Sequence, residues 1–237
     1  AFHMSGLHRD VYLVATPQTF VRDHVITAQL DASKAYTSGK MEVSLELDNR
    51  HKLSGTKQIK VTLLDADNKV VKTATTAVNY TAAATTNKAN VTLEGLANLK
   101  PWTAETPYLY NVVVAQQDDK GKEEMVFNTK YGFRNIEIKN GLVLVNGKRV
   151  FFKGVNTQDT HPEKGRTMDV PTMLRDIFMM KQANVNTVRT SHYPRQPKMY
   201  AMFDYYGLYI MDEADLECHK NWNDHGARQG YNNEVIS

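Results

Sequence analysis

Polar side chains suited to binding and catalysis are concentrated in the last third of the chain, each set directly after a short apolar segment. The three sets are Asn156, Asp159 and His161; Arg189, Ser191 and His192; and Asp212, Glu213, Asp215, Glu217 and His219. Imidazole, guanidinium and carboxylate groups hydrogen-bond hydroxyl groups, and imidazole and carboxylate groups also exchange protons and ligate metal ions. Because these sets exceed what surface solvation requires, we predict that they form a ligand-binding site.

The elements that must position these side chains alternate between strand and helix. The residues after Tyr131 predict a hairpin over 141–149 with an Asn146-Gly147 turn, and then an apolar strand over 150–155. Helical spacing over 172–183 and 196–206 alternates with apolar strands at 185–188 and 208–211. This order is typical of a parallel α/β sheet, whose ligands bind at the carboxyl ends of the strands. Three such strands are fewer than half of a (β/α)8 barrel, so the sequence predicts an incomplete barrel and a truncated chain.

The preceding residues, 20–130, show period-two alternation of apolar and polar side chains in short runs separated by turn-forming residues. The predicted strands lie near residues 25–30, 43–47, 59–63, 70–78, 89–93, 108–115 and 125–130. Seven short strands favour an antiparallel β-sandwich of the immunoglobulin type, although the Cys…Trp…Cys pattern of antibody domains is missing. The predicted fold class is therefore an immunoglobulin-like β-sandwich followed by the first three β/α units of a TIM barrel.

Composition excludes several classes of protein. The 237 residues include 29 Lys and Arg and 26 Asp and Glu, a net charge of +3 that is too small and too dispersed to indicate a nucleic-acid partner. The single cysteine, Cys218, excludes an intramolecular disulfide framework but leaves both cytoplasm and periplasm open. We expect no membrane partner, because no run approaches the roughly 18–20 apolar residues of a spanning helix. Residues 1–10 also lack the apolar core of a signal peptide.

An ordered series of short motifs, extending over nearly the whole chain, resembles glycoside hydrolase family 2. The motifs are MSGLHRDV at 4–11, WTAETPYLY at 102–110, YGFR at 131–134, NGK at 146–148, KGVN at 153–156, RTSHYP at 189–194 and DEA at 212–214. The resemblance implies that residues 1–14 end a jelly-roll sugar-binding domain. It implies that 15–133 form the family's immunoglobulin-like domain and that 134–237 begin its catalytic barrel.

The resemblance also implies an activity, the hydrolysis of terminal β-galactosides with retention of configuration by two glutamates. Those carboxyl groups must lie about 5–5.5 Å apart, whereas Glu213 and Glu217 on an extended strand would be separated by about 13 Å. The family's acid/base glutamate follows an asparagine, and Asn233-Glu234 lacks the flanking pattern. We therefore expect both catalytic glutamates to lie outside this chain, which by itself should be inactive.

Sugar binding and metal ligation are the roles that the resemblance assigns to residues of this chain. His161, His192, Arg189 and Asn156 match positions that bind the sugar, and Glu217 and His219 match two ligands of a magnesium ion. An i, i+2 spacing places the latter two on one side of an extended segment, which suits one ion. Because a third protein ligand is missing, we expect this chain by itself to bind magnesium weakly or not at all. For the complete protein the resemblance implies a β-galactoside partner, a homo-oligomer and room for a sodium ion. The residues TQDT at 157–160 depart from the family's basic, His-rich string, which bears on the choice of β-glycoside.

A second hypothesis belongs to a different class of function. The chain could be a non-catalytic carbohydrate-binding or interaction module in which the immunoglobulin-like domain is the working part. A reading frame that continues past Ser237 into an Asn-Glu motif would favour the hydrolase. Saturable glycan binding by the sandwich alone would favour the module.

Overall fold

The computed structural model describes residues 6–215, which pack as two units. The first unit is Tyr12–Phe151, and the second combines residues 6–11 with residues 152–215. Within the described residues, no helix has the length and apolar character needed to cross a membrane.

The first unit contains the predicted seven-stranded sandwich. Its strands are β1 (Phe20–Leu30), β2 (Gly39–Asp48), β3 (Gly55–Leu64), β4 (Val70–Tyr80), β5 (Thr86–Leu96), β6 (Tyr110–Gln117) and β7 (Glu123–Tyr131). They form two antiparallel sheets with the strand orders β1-β2-β5 and β4-β3-β6-β7. The sheets therefore have the three-plus-four arrangement of an immunoglobulin-like domain.

Alternation along the strands explains why these residues form two layers around one core. Val43, Leu45 and Leu47 of β2 are buried at every second position, and so are Ile59 and Val61 of β3. The apolar side chains of both sheets belong to one contiguous cluster. Removal of this apolar surface from water is the main force that holds the two sheets together.

A small antiparallel sheet follows the sandwich within the same unit. It contains β8 (Ile136–Lys139), β9 (Leu142–Val145) and β10 (Lys148–Arg149) in the order β10-β9-β8. Between β9 and β10, Asn146 has a φ of 49° and Gly147 a φ of 72°. Left-handed conformations at both central residues are those of a type I′ hairpin turn, so the predicted Asn-Gly hairpin is confirmed.

Two of the sequence motifs pack against each other in this unit. The backbone N–H of Trp102 donates to the carbonyl oxygen of Phe133 at 2.7 Å, and the Arg134 guanidinium lies 4.9 Å from the buried Trp102 ring. A Cβ atom at Gly132 would lie 2.7 Å from Cγ of the same ring, too close for any larger residue. The YGFR motif thus packs against the Trp102 side chain, and its role here is structural.

The second unit contains a parallel sheet with two helices. In chain order its elements are β11 (Gly154–Thr157), α1 (Val170–Gln182), β12 (Thr187–Thr190), α2 (Pro197–Tyr206) and β13 (Tyr209–Met211). The strands pair in the order β11-β12-β13, with Asn156 opposite Arg189 and Arg189 opposite Met211. Apolar residues of both helices and of β12 form a separate core. The predicted β-α-β-α-β order is confirmed.

Local sequence signals set the helix ends. The Asp169 carboxylate accepts the N–H of Thr172 at 3.0 Å and so caps α1, with Pro171 in the first turn. Gly207 adopts the left-handed conformation after α2, with a φ of 76°, and its N–H donates to Phe203. Both ends are therefore fixed by residues whose side chain or backbone freedom favours a cap.

Two predicted strand positions were wrong by two to four residues. The strand predicted at 185–188 is observed at Thr187–Thr190, because Asn184 is left-handed and the N–H of Val185 still donates to Met180 of the helix. Val185 packs on the helix core, which explains its apolar side chain. The strand predicted at 150–155 is observed at Gly154–Thr157. Asn156 and Arg189 therefore lie within strands and do not follow them.

Within the second unit, residues 6–11 pack against the parallel α/β part. Arg9 donates to the carbonyl oxygen of Pro194 at 2.5 Å, and the Lys198 ammonium lies 2.5 Å from the Asp10 carboxylate. These bonds join residues separated by more than 180 positions in the sequence. The HRD part of the first motif thus binds the loop after β12 and the start of α2.

Asn49 in the loop after β2 gives a test of the sandwich. Its buried amide nitrogen donates to the carbonyl oxygens of Leu53, Thr81 and Ala84, at 2.9–3.0 Å. The change Asn49→Asp replaces this donor with an acceptor facing three acceptors, so we expect the free energy of unfolding to fall by about 3 kcal/mol. Urea denaturation measures the change, and Asn90→Asp at an exposed position is the control. Equal stability of the two variants would contradict the assignment.

Candidate functional site

The carboxyl edge of the parallel sheet carries a hydrogen-bonded cluster around Arg189. Its Nε donates to Oε1 of Glu213 at 2.5 Å, and one terminal nitrogen lies 3.4 Å from Oδ1 of Asn156. The other terminal nitrogen lies 3.3 Å from Nδ1 of His192. One residue of β12 thus connects β11, the loop after β12 and the residue pair that follows β13.

Glu213 binds two neighbouring side chains at once. Oε1 accepts from Arg189, while Oε2 lies 3.0 Å from Nδ1 of His192. The side chains of Arg189, His192 and Glu213 remain 35%, 34% and 26% exposed. The cluster is therefore ordered by its own contacts and still accessible to a ligand.

Burial alone would raise the pKa of Glu213, but the hydrogen bonds from His192 and Arg189 outweigh it and lower the pKa below its usual value. A second set of contacts fixes the backbone of this residue. The N–H of Glu213 donates to Oγ1 of the buried Thr190, whose hydroxyl donates to Asp212 at 2.8 Å. Glu213 is consequently an ionised acceptor held in one place.

Asp212 has a different environment from its neighbour. The phenol of Tyr200 on α2 donates to the Asp212 carboxylate at 2.6 Å. Burial and this hydrogen bond to the carboxylate raise the pKa of Tyr200 to about 12, so the phenol stays protonated as a donor. Asp212 is thereby occupied in joining β13 to α2.

Arg195 ties the loop that carries His192 to β11. Its guanidinium, only 2% exposed, donates to the carbonyl oxygens of Thr157, Ser191 and Tyr193. Its Nε also lies 3.5 Å from Oδ1 of Asp159, whose pKa is raised by burial. A buried cation that saturates three carbonyl groups fixes the loop backbone, and with it the position of His192.

His161 lies in a separate turn after β11. Its Nδ1 accepts hydrogen bonds from the backbone N–H groups of Glu163 and Lys164, both at 3.1 Å. The backbone N–H of His161 donates to the carbonyl oxygen of Gly165. Among the described residues, the hydrogen bonds of the Arg189 cluster do not extend to this imidazole. The turn nevertheless fixes the ring through its Nδ1 edge.

The structure brings three of the predicted sugar-binding residues, Asn156, Arg189 and His192, into one cluster. Glu217 and His219, the predicted magnesium ligands, lie outside the described residues. Within residues 6–215, no group of three or more His, Cys, Asp or Glu side chains is arranged to hold a metal ion. The sugar-binding and metal-binding roles stay predictions.

Sequence reasoning did not find the roles of Glu213 and Arg195. Glu213 stood out as a polar residue after a strand, but its contact with Arg189 and His192 depends on strand register. The burial of Arg195 could not be predicted, because the sequence around a buried arginine in a loop does not differ from that around an exposed one. Its position directly after the RTSHYP motif was the nearest available clue.

The lowered pKa of Glu213 predicts a pH dependence. A carboxyl group whose pKa is lower in the folded state stabilises that state above its ordinary pKa, and the contribution is lost as pH falls through the folded value. We expect Glu213→Gln to reduce the unfolding temperature of the second unit at pH 7. The difference from the unmodified protein should shrink between about pH 5 and pH 3. Calorimetry across this range measures it, and a pH-independent difference would contradict the ionised role.

Two family models match the chain in tandem. The model described as "Glycosyl hydrolases family 2" matches residues 19–134, and the one described as "Glycosyl hydrolases family 2, TIM barrel domain" matches residues 136–236. The boundary between them falls between the sandwich and the small sheet of β8–β10. These matches confirm an immunoglobulin-like β domain followed by the start of a TIM barrel domain.

Individual proteins give the same picture. A β-galactosidase of Alteromonas mediterranea is 38% identical over 228 residues, which cover 91% of this chain and 20% of the relative. A family 2 glycosyl hydrolase from Bacteroides cellulosilyticus shares the fold, with a TM-score of 0.77, 23% identity and coverage of 84% of this chain and 27% of that one. A β-glucuronidase from Ruminococcus gnavus, solved with D-glucuronic acid, has a TM-score of 0.69, 25% identity and coverage of 84% and 30%. The chain spans about a fifth of the length of the curated relatives it matches.

Proposed function

This chain belongs to glycosyl hydrolase family 2, and from that membership we propose that the protein containing it hydrolyses terminal β-galactosides. The observation that carries this proposal is the 38% identity to a β-galactosidase over 228 residues, a range that includes the candidate site. The match covers only 20% of that relative. The proposed activity is therefore that of a complete protein that contains this chain together with a full barrel.

The Arg189 cluster supports sugar binding as the contribution of this chain. Its exposed atoms are a guanidinium, an imidazole and an amide, groups that donate to or accept from hydroxyl groups. All three project from neighbouring strand ends, where barrel enzymes bind their substrates. In glycoside hydrolysis, hydrogen bonds to sugar hydroxyls that strengthen in the oxocarbenium-like transition state contribute several kcal/mol. We assign this task to His192, Arg189, Asn156 and His161.

The proposal places both catalytic glutamates outside this chain. A retaining mechanism needs one carboxyl group as nucleophile and a second as acid and base. Glu213 is unsuited to the acid role because Arg189 and His192 occupy its oxygens and its pKa is lowered. Asp159 is buried against Arg195, and Asp212 is bound by Tyr200 and Thr190. Glu213, Asp159 and Asp212 are therefore all engaged by neighbouring side chains, and these three do not supply a catalytic pair.

Glu217 and His219 are proposed to contribute to a magnesium site in the complete protein. Magnesium prefers oxygen ligands in an octahedral shell that retains water. A carboxylate and an imidazole supply two positions of that shell, so further oxygen ligands must come from other residues or from water. A magnesium ion bound there would supply positive charge.

Hydrolysis by the complete protein tests this function directly. We expect turnover of an aryl β-galactoside, with β-galactose as the first product seen by proton NMR before mutarotation. The stereochemistry follows from a covalent intermediate formed and broken on opposite sides of the anomeric carbon. Failure to hydrolyse the galactoside, or α-galactose as the first product, would contradict the proposal.

A groove on the sandwich gives the alternative, a non-catalytic carbohydrate-binding module, a specific place to act. The groove has a volume of about 280 Å³ and contains the polar side chains of Asp23, His24, Glu46, Lys88 and Asn90. Calorimetric titration of the sandwich with galactose-containing oligosaccharides separates the two hypotheses. The hydrolase proposal predicts no saturable binding by the sandwich and turnover by the complete protein.

A further inference from the structure

We infer that His161 and His192 are held in opposite tautomers, and that Glu213 is the positioning residue that sets the tautomer of His192. In this arrangement His161 presents Nε2–H as a donor, and His192 presents Nε2 as an acceptor. The two rings would then recognise hydroxyl groups of opposite hydrogen-bond polarity. The tautomers follow from contacts in the structure, whereas their use in sugar recognition rests on the proposed function.

The tautomer of His161 follows from what surrounds Nδ1. Two backbone N–H groups, those of Glu163 and Lys164, point at this atom from 3.1 Å. Backbone N–H groups only donate, so Nδ1 must offer its lone pair. In a neutral imidazole the proton then resides on Nε2. His161 therefore presents a donor on its free edge.

The tautomer of His192 is decided by its neighbour Glu213. Oε2 lies 3.0 Å from Nδ1, and an ionised carboxylate can only accept. Nδ1 must therefore carry the proton. The Arg189 nitrogen at 3.3 Å is a donor that would favour the opposite tautomer, but it is farther away, and the same guanidinium binds Glu213 at 2.5 Å through Nε. The carboxylate contact prevails, and Nε2 is left as an acceptor.

Glu213 can impose this choice because its own position is fixed independently of the imidazole. Arg189 binds the other carboxylate oxygen, and the Thr190 hydroxyl receives the backbone N–H at 2.9 Å. Because the carboxylate is held at two points, it orients the His192 ring that it binds. Carboxylates that hydrogen-bond catalytic or metal-bound histidines orient those rings in the same way. Glu213 thus acts through the imidazole that it orients.

The consequence for a sugar concerns the polarity of individual hydroxyl groups. The hydroxyl that meets His161 accepts a hydrogen bond, and the one that meets His192 donates. Fluorine in place of hydroxyl lacks the proton, so it would leave the first contact partly intact and remove the second. The site would then distinguish two hydroxyl groups by their orientation as well as by their position.

Nitrogen NMR of the chain labelled with [15N]histidine tests the tautomers without reference to activity. The spectra are recorded at about pH 8.5, which is well above the ordinary imidazole pKa. His161→Asn and His192→Asn assign the two rings. We expect a protonated Nε2 with an unprotonated Nδ1 in His161, and the reverse in His192. The same tautomer in both rings, or the free-imidazole mixture in either, would overturn the inference.

Glu213→Gln tests the positioning role with almost unchanged shape. An amide has one acceptor oxygen, and Arg189 cannot give up its protons, so the amide oxygen should turn to Arg189 and the NH2 group to His192. The imidazole is the partner that can change roles, and we expect it to switch to the Nε2–H tautomer. Retention of Nδ1–H in this variant would remove Glu213 as the positioning residue.

Two controls show whether the change in tautomer is specific to His192. Glu163→Gln alters a side chain beside His161 but keeps the backbone N–H that binds Nδ1, so both tautomers should stay as they are. In Glu213→Gln the signal of His161 should also be unchanged, which shows that the second unit is still folded. Loss of the His161 pattern there would make Glu213 a general structural residue and would equally contradict the inference. None of these results depends on whether the complete protein hydrolyses galactosides.

Discussion

Replacement of His192 with alanine in the complete protein is expected to lower kcat and kcat/KM together, by a factor on the order of 10². The reason is that His192 lies at the strand edge proposed to bind the sugar, and its ring is held by Glu213 at 3.0 Å. A contact with a hydroxyl group that tightens as the ring flattens toward the oxocarbenium ion stabilises the transition state more than the ground state. Steady-state kinetics with an aryl β-galactoside measure both constants.

His51→Ala is the matched control for this prediction, because His51 is an exposed histidine of the sandwich. It should leave both constants within about twofold of the unmodified enzyme, as surface substitutions usually do. A His192→Ala variant with a raised KM and an unchanged kcat would show uniform binding of substrate and transition state. The assignment of His192 to transition-state stabilisation would then be wrong.

The isolated 237-residue chain is expected to leave an aryl β-galactoside uncleaved, which is the largest effect that the account predicts. Arg189, His192 and Asn156 position hydroxyl groups, but they replace neither a covalent nucleophile nor a proton donor. The carboxylates of Glu213, Asp212 and Asp159 are engaged by neighbouring side chains, and the acid role is closed to Glu213 by its lowered pKa. Release of the chromogenic phenol should therefore not exceed the uncatalysed rate.

The control for this experiment is the chain with His192→Ala, prepared in a host without its own β-galactosidase. Both samples should give the same background rate. Turnover that persists after exhaustive purification and disappears with His192→Ala would show that this chain holds a complete catalytic site. That result would overturn the placement of the glutamates outside it.

The strands and turns of this protein could be predicted because their signals are local. Alternation in β2 and β3 gives the buried faces directly, since successive residues of a strand point to opposite sides. The Asn146-Gly147 pair identified its hairpin because few other residues adopt two left-handed conformations in succession. Asp169 could also have been recognised as the cap of α1, three residues before Thr172, from its side-chain chemistry.

The error at 185–188 came from an apolar side chain that packs on a helix and not in the sheet. Val185 reads as part of a strand, yet it lies in the connection after α1, where Asn184 turns the chain and the first strand bonds form only at Thr187. Periodicity over four residues does not separate these two forms of burial. Element boundaries were therefore less predictable than the order of the elements.

The candidate site was predictable as a place but not as a set of contacts. Polar residues after successive parallel strands indicated the carboxyl edge of the sheet. The pairing of Asn156 with Arg189 is a property of register, which the sequence of either strand alone does not specify. The buried Arg195–Asp159 pair joins residues 36 positions apart through a loop conformation that no periodic pattern encodes.

The proposed β-galactoside specificity is tested most directly by the ratio of the kcat/KM values of the complete protein for an aryl β-galactoside and the matched aryl β-glucuronide. Both sugars occur among the substrates and ligands of proteins similar to this chain. The two differ in the C6 group and in the orientation of one hydroxyl, the features that a cluster of fixed donors and acceptors discriminates. We predict a preference for the galactoside of at least about 10²-fold, the discrimination that one or two buried polar contacts provide. A preference for the glucuronide, or equal hydrolysis of both, would contradict the account.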